Sequence, residues 1–513
     1  MSATRIPLIQ NIMKRFLSTL TLISLVLTGY SQTTYVPDDN FEQKLIELGY
    51  DDVLDNQVVT ENINGLLTID LAGSEISELT GIEDFEMLEG LYCSSNSLTE
   101  IDLSENLNLE VLVLGFNSLT SLDLSANTNL TVLSCDNNNL GELNLSGNLN
   151  LIDLFVPNNL PLTSLDLSGN PLVEEVTARD CGLTEINLSD CSNLRELNIS
   201  SNALTTIDFS NCAALTDLNC SNNALVEVDL SFNLVLDIVA VKDCGLEELN
   251  LEGLNVLSTL DCSLNELDEI DLSDNVNLLA FNINSNNLVA LDLSAFTSLQ
   301  VLDCYGNDIV ELGLTLLTEL RSLNCGLNPL TELNVSANDL LEGLHIRLLP
   351  PGCVVNLDLS DKPNLQVLVC SQNEGLVSVN LKNGNPEGMN GFMGNSNPSL
   401  MCVEVDDLDY AEANWTISID DHTEISEFCG LGIENNRISF TSVYPNPTTE
   451  ILNVEINDEQ MDFSLIDLSG KLIQTGSLAQ GVNPINVSDL PAGVYFLKLN
   501  NAHYNTTHKT IIK

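Results

Sequence analysis

Residues 108–128 read NLEVLVLGFNSLTSLDLSANT, and residues 129–149 read NLTVLSCDNNNLGELNLSGNL. The two blocks align without a gap, so this part of the chain repeats with a period of 21 residues. A fixed period in this range is typical of stacked repeats, in which each unit packs on its neighbours. One apolar position marks the repeat at spacings close to 21 residues until the last, which is 24. Its members are Ile69, Leu91, Leu112, Leu133, Leu154, Val176, Leu197, Leu218, Ile238, Leu260, Phe281, Leu302, Leu323, Leu344 and Leu368, and a degenerate further turn is expected through Phe392.

Each unit follows the pattern LxxLx[L/C/V/I]xxNxLxxLDLSxNx. The alternation LxL predicts a short strand with both apolar residues facing inward, and such strands stack in parallel about 4.8 Å apart. The LDLS segment predicts a second short extended stretch on the opposite side, and no unit has room for a long helix.

A column of asparagines follows the predicted strands, at positions 96, 117, 138, 202, 223, 265, 286, 307 and 328. A buried amide there is predicted to bond the loop backbone of its own coil and of the next one. Cys181 and Cys244 replace asparagine in this column.

These repeats resemble the leucine-rich-repeat family, in particular its short-repeat bacterial secreted members. The resemblance covers residues 66–400, as about 15–16 repeats of 21–22 residues. It implies an α/β-type repeat solenoid that is mostly β, curved, with few helices and a parallel sheet on its concave face. The family usually binds partners, so the resemblance implies an interaction protein.

The net charge of the chain limits the class of its partners. The 513 residues carry a net charge of -58, which disfavours nucleic acid and anionic membranes as partners.

Lys14 and Arg15 precede an apolar run at 16–27, and Gly29-Tyr30-Ser31 offers a small-residue cleavage site. Residues 1–31 are therefore predicted to be a secretory signal peptide, starting at Met1 or Met13. No other segment is apolar enough to predict a membrane span.

Residues 32–65 are predicted to form an N-terminal cap that covers the end of the solenoid core. Asp39, followed by Glu42 three residues later, indicates a helix start, and Gly49 can end the helix. The apolar face of this helix is expected to hold Phe41, Leu45 and Leu48.

Residues 401–430 lose the period and are predicted to form a C-terminal cap. Cys402 and Cys429 bracket this segment, and a disulfide between them would contribute about 3 kcal/mol. The alternative is two free thiols. Other cysteines stand at the inward strand position, where they are expected to pack as small hydrophobes without binding metal. They are Cys93, Cys135, Cys220, Cys262, Cys304, Cys325 and Cys370.

A linker at 431–442 precedes a final segment, 443–513, whose short alternating runs predict a small antiparallel β-sandwich. Its motifs resemble the type A C-terminal sorting domain of the Bacteroidetes type IX secretion system. That resemblance implies contact with the type IX machinery, export across the outer membrane, removal of the domain, and release or surface attachment. The motif residues are Tyr444, Pro445, Asn446, Pro447, Gly493 and Lys513, with Gly470-Lys471 and Leu490-Pro491-Ala492 between them.

Candidate ligand-binding residues stand on the predicted concave face, between the two inward residues of each strand. From Asp261 to Asn324 this position is uniformly polar, which suits carbohydrate hydroxyls or a polar protein surface. The alternative is an ordinary solvated sheet face. The candidates in this row are Asp261, Asn282, Asp303, Asn324 and His345, with Tyr305 beside them.

Arg179, Lys242 and Arg347 share the position just after the strand in a chain that has few cations. They are candidates to anchor an acidic ligand group. Local neutralisation of the acidic surface is the other interpretation.

The LDLS side carries a column of carboxylates and amides. Stacked carboxylates repel each other, and calcium relieves such repulsion with flexible oxygen coordination. Weak calcium binding is therefore a hypothesis, although no dedicated calcium loop or other cofactor motif is present. The column is Asp102, Asp123, Asn144, Asp166, Asn187, Asp208, Asp229, Asn250, Asp271 and Asp292.

Taken together, the sequence predicts a secreted or surface-attached protein that binds or adheres to an extracellular protein or glycan. The alternative is a structural surface-layer component that associates with itself. An enzyme is not expected, because no nucleophile elbow, metal-binding histidine pair or phosphate loop is present.

Overall fold

The computed structural model describes residues 32–429, 440–456, 461–467, 471–500 and 505–513. The chain divides into two compact units between Phe428 and Cys429. The predicted signal peptide at 1–31 and most of the predicted linker lie outside the described residues. No helix among the described residues is long and apolar enough to cross a membrane.

The first unit is a parallel solenoid whose coils each give one strand to a single sheet, which we call the long sheet. The strands pair in register, for example Leu112 with Leu133 and Leu133 with Leu154. The middle residue of each three-residue strand is buried, which confirms the predicted repeat. The strands are Thr68–Asp70, Gly90–Tyr92, Val111–Val113, Val132–Ser134, Asp153–Phe155, Glu175–Thr177, Glu196–Asn198, Asp217–Asn219, Ile238–Ala240, Thr259–Asp261, Ala280–Asn282, Val301–Asp303, Ser322–Asn324, Gly343–His345, Val367–Val369, Gly391–Gly394 and Thr416–Ile419.

One inward position was predicted one residue too early. Val239, not Ile238, pairs with Leu218 and Leu260 and is fully buried. Ile238 is exposed, because successive side chains of a strand point to opposite faces. The prediction of Ile238 in the inward column is therefore wrong.

The predicted second extended segment becomes a paired strand in only some coils. Elsewhere the LDLS segment keeps its leucines buried and turns without strand pairing, as Leu122 and Leu124 show. The paired strands form one two-stranded and one four-stranded parallel sheet. They are Ser164–Asp166 with Glu185–Asn187, and Asn356–Asp358, Ser378–Asn380, Cys402–Glu404 and Glu424–Ser426.

The solenoid continues past residue 400. Phe392 pairs with both Leu368 and Ile417, so the degenerate turn forms and a further coil follows it within the segment predicted as a cap. A helix at Leu408–Asn414 replaces the usual turn in that coil. Cys402 and Cys429 are disulfide-bonded, which confirms the predicted pair.

The N-terminal helix spans Asp39–Leu48 and ends at Gly49, whose φ of 83° is the left-handed conformation that the prediction required. Its cap is Asp38 rather than Asp39, because the Asp38 side chain accepts hydrogen bonds from the second and third residues beyond it. Leu48 is exposed and does not share the buried face of Phe41. Strands Thr33–Tyr35 and Gln57–Val59 pair beside the helix, and short 3₁₀ turns lie at Thr60–Asn62, Ile82–Asp84 and Pro386–Gly388.

The predicted asparagine column bonds backward along the solenoid. Asn117 Nδ2 donates to Leu114 O of its own coil and to Cys93 O of the preceding coil. Its Oδ1 accepts the Leu98 N–H of that preceding coil at 3.0 Å. The partner is thus the preceding coil, not the next one as predicted. Further members that the sequence pattern missed are Asn159, Asn373 and Asn397.

A second buried asparagine column follows the LDLS segment and was not predicted. Asn127 Nδ2 donates to Leu103 O and Asn106 O, both in the preceding coil. Lys362 takes this place one coil after Asn338, with its buried ammonium 2.9 Å from Asp361 Oδ1. The column holds Asn106, Asn127, Asn148, Asn170, Asn233, Asn275 and Asn338.

A third column has a left-handed backbone. In the coils from Ile69 to Phe392, the fourth residue after the inward strand residue adopts positive φ, between 51° in Leu327 and 67° in Gly306. Its N–H reaches the next coil, as Ser95 N does to Gly115 O at 2.8 Å. We call these residues the left-handed column. They are Gly73, Ser95, Phe116, Asn137, Asn158, Asp180, Ser201, Asn222, Asp243, Leu264, Ser285, Gly306, Leu327, Leu348, Gln372 and Ser396.

The second unit contains two antiparallel sheets that share one core, which confirms the predicted sandwich. Leu452 and Val454 of one sheet pack with Leu465 and Leu497 of the other. The first sheet contains Phe440–Tyr444, Ile451–Ile456 and Gly481–Asn486, and the second contains Met461–Asp467, Leu472–Leu478, Gly493–Asn500 and Asn505–Ile512.

Candidate functional site

The outward face of the long sheet brings the predicted polar row together. Each member is the last residue of its strand, and register pairing sets the residues side by side on five consecutive strands. All five side chains are half-buried. The row is Asp261, Asn282, Asp303, Asn324 and His345.

Hydrogen bonds hold four of these five side chains in place, those of Asp261, Asn282, Asp303 and Asn324. Asp261 Oδ1 accepts the Ser263 hydroxyl at 2.6 Å and its N–H at 3.1 Å. Asp303 Oδ1 accepts the Tyr305 N–H at 3.1 Å, and Asp303 Oδ2 accepts Asn324 Nδ2 at 3.2 Å. These four side chains are therefore ordered before any partner binds.

His345 closes the row between Asn324 and Val369 of the adjacent strands. Burial lowers the pKa of its imidazole, and the nearby Asp303 carboxylate opposes that shift without cancelling it. The ring is accordingly neutral at pH 7, so it offers one hydrogen-bond donor and one acceptor.

The three predicted cations lie in one column but do not come together. Arg179 and Lys242 are three coils apart, and Lys242 and Arg347 are five coils apart, which corresponds to about 14 Å and about 24 Å. Arg179 pairs with Asp180 at 2.7 Å, and Arg347 donates to Gln372. Lys242 has no ion pair within the described part of the chain. One small anionic group cannot contact all three.

The first residue of each strand forms another outward column, and its acidic part was not among the predicted sites. Asp153, Glu175, Glu196 and Asp217 stand at this position on four consecutive strands. Burial, followed by the Glu196, Asp153 and Glu174 charges, raises the pKa of Glu175. Burial and Glu174 raise that of Asp153. This four-strand part of the face repels anions.

The carboxylate column on the LDLS side has a structural role in each coil. Asp271 Oδ1 accepts the Ser273 N–H at 2.9 Å, closing a short turn at the end of the segment. That bond, together with the Ser273 hydroxyl, lowers the pKa of Asp271. Asn250 makes the same turn with Glu252 N–H. Within the described residues, no group of His, Cys, Asp or Glu side chains is arranged to hold a metal ion.

Replacing seven aspartates of this column by asparagine is expected to keep the turns and weaken acid sensitivity. Their folded pKa values lie below the usual value, so the carboxylates stabilise the fold above about pH 4 and lose this contribution as pH falls. Between about pH 5 and about pH 3, the urea midpoint of the natural protein should fall relative to that of the variant. The changed residues are Asp102, Asp123, Asp166, Asp208, Asp229, Asp271 and Asp292.

A comparison of two single variants is the control for this pH experiment. Asp271→Ala lacks the acceptor and should be less stable than Asp271→Asn at both pH values. Equal pH responses of the natural protein and the sevenfold variant would show that the turns do not couple to protonation. The calcium hypothesis is checked on the same proteins, and an unchanged melting temperature in millimolar calcium would end it.

The inward cysteines are fully buried, as predicted. Burial and the nearby Asp303 charge raise the pKa of the Cys304 thiol to about 12, so it stays protonated. A protonated thiol is a poor metal ligand. These residues therefore act as core side chains.

In the second unit, the motif residues meet although they are distant in sequence. Asn446 Nδ2 donates to Lys509 O, and Asn446 Oδ1 accepts the Ile511 N–H, both at 2.8 Å. Gly493 pairs with Ile512 across the sheet, and Lys513 N donates to Thr448 O. The Tyr444–Pro447 motif is thus hydrogen-bonded to the strand Asn505–Ile512.

Residues 442–513 match the family model of the secretion system C-terminal sorting domain. The match confirms the predicted sorting domain, which directs export to the cell surface or the extracellular space. A comparison with curated protein sequences gave no match.

Solved structures show the fold of the solenoid. The functional domain of InlJ from Listeria monocytogenes, which includes a cysteine ladder, is 23% identical with a TM-score of 0.55, covering 94% of this chain and 99% of that chain. The leucine-rich-repeat protein LIC12759 from Leptospira interrogans is 22% identical with a TM-score of 0.60, covering 70% and 97%. The ectodomain of the Arabidopsis thaliana receptor kinase GASSHO1/SCHENGEN3, solved with CASPARIAN STRIP INTEGRITY FACTOR 2, is 21% identical with a TM-score of 0.50, covering 68% and 52%. These likenesses show a leucine-rich-repeat fold.

Proposed function

Since this chain is an exported protein with a leucine-rich-repeat fold and a C-terminal sorting domain, we propose that its solenoid is an extracellular binding or adhesion module. It recognises a polar surface of a protein or glycan through the outward face of the long sheet. The partner contacts the polar row from Asp261 to His345.

The observation that carries this proposal is that hydrogen bonds within the protein already fix side chains of the polar row. Side chains fixed by hydrogen bonds lose little conformational entropy when a partner binds. After those bonds, Asn282 and Asn324 still offer amide groups, and His345 offers both a donor and an acceptor. Such a ladder suits hydroxyl and peptide groups presented at regular intervals.

Charge narrows the class of partner. The chain has a net charge of -58, and four carboxylates line the sheet before the polar row begins. Polyanions are repelled by such a surface, whereas neutral glycans and neutral or basic protein surfaces are not. The polar row therefore favours a partner without high negative charge.

Binding rather than catalysis is the role that the row supports. His345 stands between Asn324 and Val369, neither of which is a nucleophile. Stacked amides and carboxylates recognise a surface through many weak contacts. They do not form the paired nucleophile and base that covalent catalysis requires.

The test is binding of the exported protein to an array of glycans and extracellular proteins, with and without calcium. Asp303→Ala combined with Asn324→Ala should weaken a specific hit about tenfold, because both side chains face the partner. Asn198→Ala combined with Asn219→Ala is the matched control, since these residues hold the same strand position and accept the same turn N–H bond as Asp303 does. The control should bind like the natural protein.

Two results would overturn the proposal. Equal loss in both double variants would mean that the row has no special role. Silence across the whole array, with association of the protein with itself at high concentration, would support the structural surface-layer alternative instead.

A further inference from the structure

Four residues of the left-handed column do not suit their backbone. Only glycine adopts this backbone conformation freely. Other residues are disfavoured in it, asparagine and aspartate the least. Most members of the column are small or polar, but Phe116, Leu264, Leu327 and Leu348 are large and apolar. All four are also exposed, Leu327 by 45% and Leu348 by 36%. Their backbone conformation is strained and their apolar side chains are exposed to water, and both cost free energy. Residues of this kind often mark a functional site when the surrounding structure forms one.

Two of these leucines lie together and line an open cavity of about 640 Å³, which we call the leucine groove. Leu327 and Leu348 belong to consecutive coils, and Gly306 holds the same position one coil earlier. A Cβ atom on Gly306 would lie 3.7 Å from Leu327 Cδ2, so the leucine leans over the glycine. The glycine thus leaves the groove open at this end.

One wall of the leucine groove is a rigid insertion. The coil after Leu344 is three residues longer than most, and the extra length includes Pro350 and Pro351, which line the groove. Gly375 of the next coil packs so closely that a Cβ there would lie 2.8 Å from Gly352 N and 3.0 Å from Pro351 Cα. Proline rings and this contact hold the wall in place without a ligand.

The groove is apolar but acidic at its margin. Asp308 and Glu374 line it, and both are exposed. Neither carboxylate takes part in an ion pair within the described residues. Arg347 stands next to the groove, but it donates to Gln372. The margin is therefore complementary to a cation placed beside an apolar group.

We infer that the leucine groove binds a segment of another polypeptide in which apolar side chains alternate with lysine or arginine. The apolar side chains cover Leu327 and Leu348, while the cations meet Asp308 and Glu374. A second copy of this chain is a poor occupant, because both copies carry a net charge of -58. The inference goes beyond the proposed function, since the groove lies in the turns after the strands and no member of the polar row lines it.

The experiment measures binding of a fluorescein-labelled octapeptide of alternating leucine and lysine to the exported protein, by anisotropy at physiological ionic strength. Leu327→Asn combined with Leu348→Asn should weaken binding about tenfold. Asparagine suits the left-handed backbone, so the melting temperature of this variant should equal or exceed that of the natural protein. Binding is thus lost without loss of the fold.

Matched variants and peptides separate the groove from general attraction. Phe116→Asn combined with Leu264→Asn changes the same kind of residue outside the groove, and this control should bind the peptide normally. Asp308→Asn combined with Glu374→Gln should weaken binding and flatten its dependence on salt. Peptides with glutamate in place of lysine, or asparagine in place of leucine, should bind at least tenfold more weakly.

Three outcomes would overturn the inference. The first is equal affinity of the natural protein and the groove variant. The second is equal loss in the Phe116 and Leu264 control, which would show attraction to any exposed apolar residue of this acidic surface. The third is self-association of the natural protein that the groove variant abolishes, because the occupant would then be a second copy. Failure here leaves the array experiment on the polar row unaffected, since that experiment changes different residues.

Discussion

Asn307→Ala is expected to lower the free energy of unfolding by about 3 kcal/mol. The Asn307 amide donates to Ile283 O at 3.0 Å and to Cys304 O at 3.1 Å, and its oxygen accepts the Leu288 N–H at 3.1 Å. The residue is only 6% exposed, so water cannot replace these bonds. Alanine would leave the Leu288 N–H without a partner. It would also remove one of the two amide bonds that Ile283 O and Cys304 O each accept, because only those from Asn286 and Asn328 would remain. Urea denaturation followed by circular dichroism would measure the change.

The control for this prediction is Asn139→Ala. Asn139 is exposed, and the hydrogen bond that involves it uses its backbone N–H alone, so its removal should change stability little. Asn307→Cys should cost less than Asn307→Ala, because Cys181 stands in the same column and its thiol donates to Val156 O at 3.2 Å. If Asn139→Ala lowered the free energy of unfolding as much as Asn307→Ala, the hydrogen bonds of the buried amides would not explain how the coils are held together.

Gly326→Ala is expected to cost about 2–3 kcal/mol, although it adds a single methyl group. Its Cβ would clash with Arg347 O and would lie 2.8 Å from Arg347 N, and both are backbone atoms of the next coil. The coils must move apart to make room, which stretches the Leu327 N–H bond to Arg347 O. A lower melting temperature and a lower urea midpoint are the expected results.

Gly141→Ala is the matched control for Gly326→Ala, because a Cβ on Gly141 would have no atom within 4 Å. This substitution should leave stability unchanged or raise it slightly, since alanine restricts the unfolded chain. Equal effects of the two substitutions would mean that backbone freedom, rather than close approach of the coils, explains the glycine at 326.

Much of the fold could be predicted because burial repeats along the chain. In a solenoid each coil contacts only its neighbours, so the same apolar positions recur at a constant spacing. That spacing located the inward strand residues, and an error of one residue at Ile238 was possible because Val239 beside it is equally apolar. The disulfide was predictable because Cys402 and Cys429 bracket the segment that lacks the period, and the helix that ends at Gly49 was predictable from its local residues.

The candidate site was predictable only in part. Polar residues at the outward strand position identified the row from Asp261 to His345, because strand alternation and stacking dictate which side chains become neighbours. The hydrogen bonds that fix the row depend on turns at the strand ends, and the repeat pattern does not describe those turns. The acidic strip around Glu175 was overlooked because it occupies the first strand position instead of the third.

By itself, the sequence determined the period, the burial of the repeat leucines, the asparagine column and the sorting motifs, because each is a local pattern of side-chain type. Three features were decided by the tertiary structure alone. They are the coil to which each asparagine amide donates, the positions at which the backbone becomes left-handed, and the groove that the coil after Leu344 forms beside Leu327 and Leu348. These features depend on distances between stacked backbones. An apolar residue in the sequence looks the same whether it fills the core or stands exposed in a turn, and only the position of the next coil separates the two.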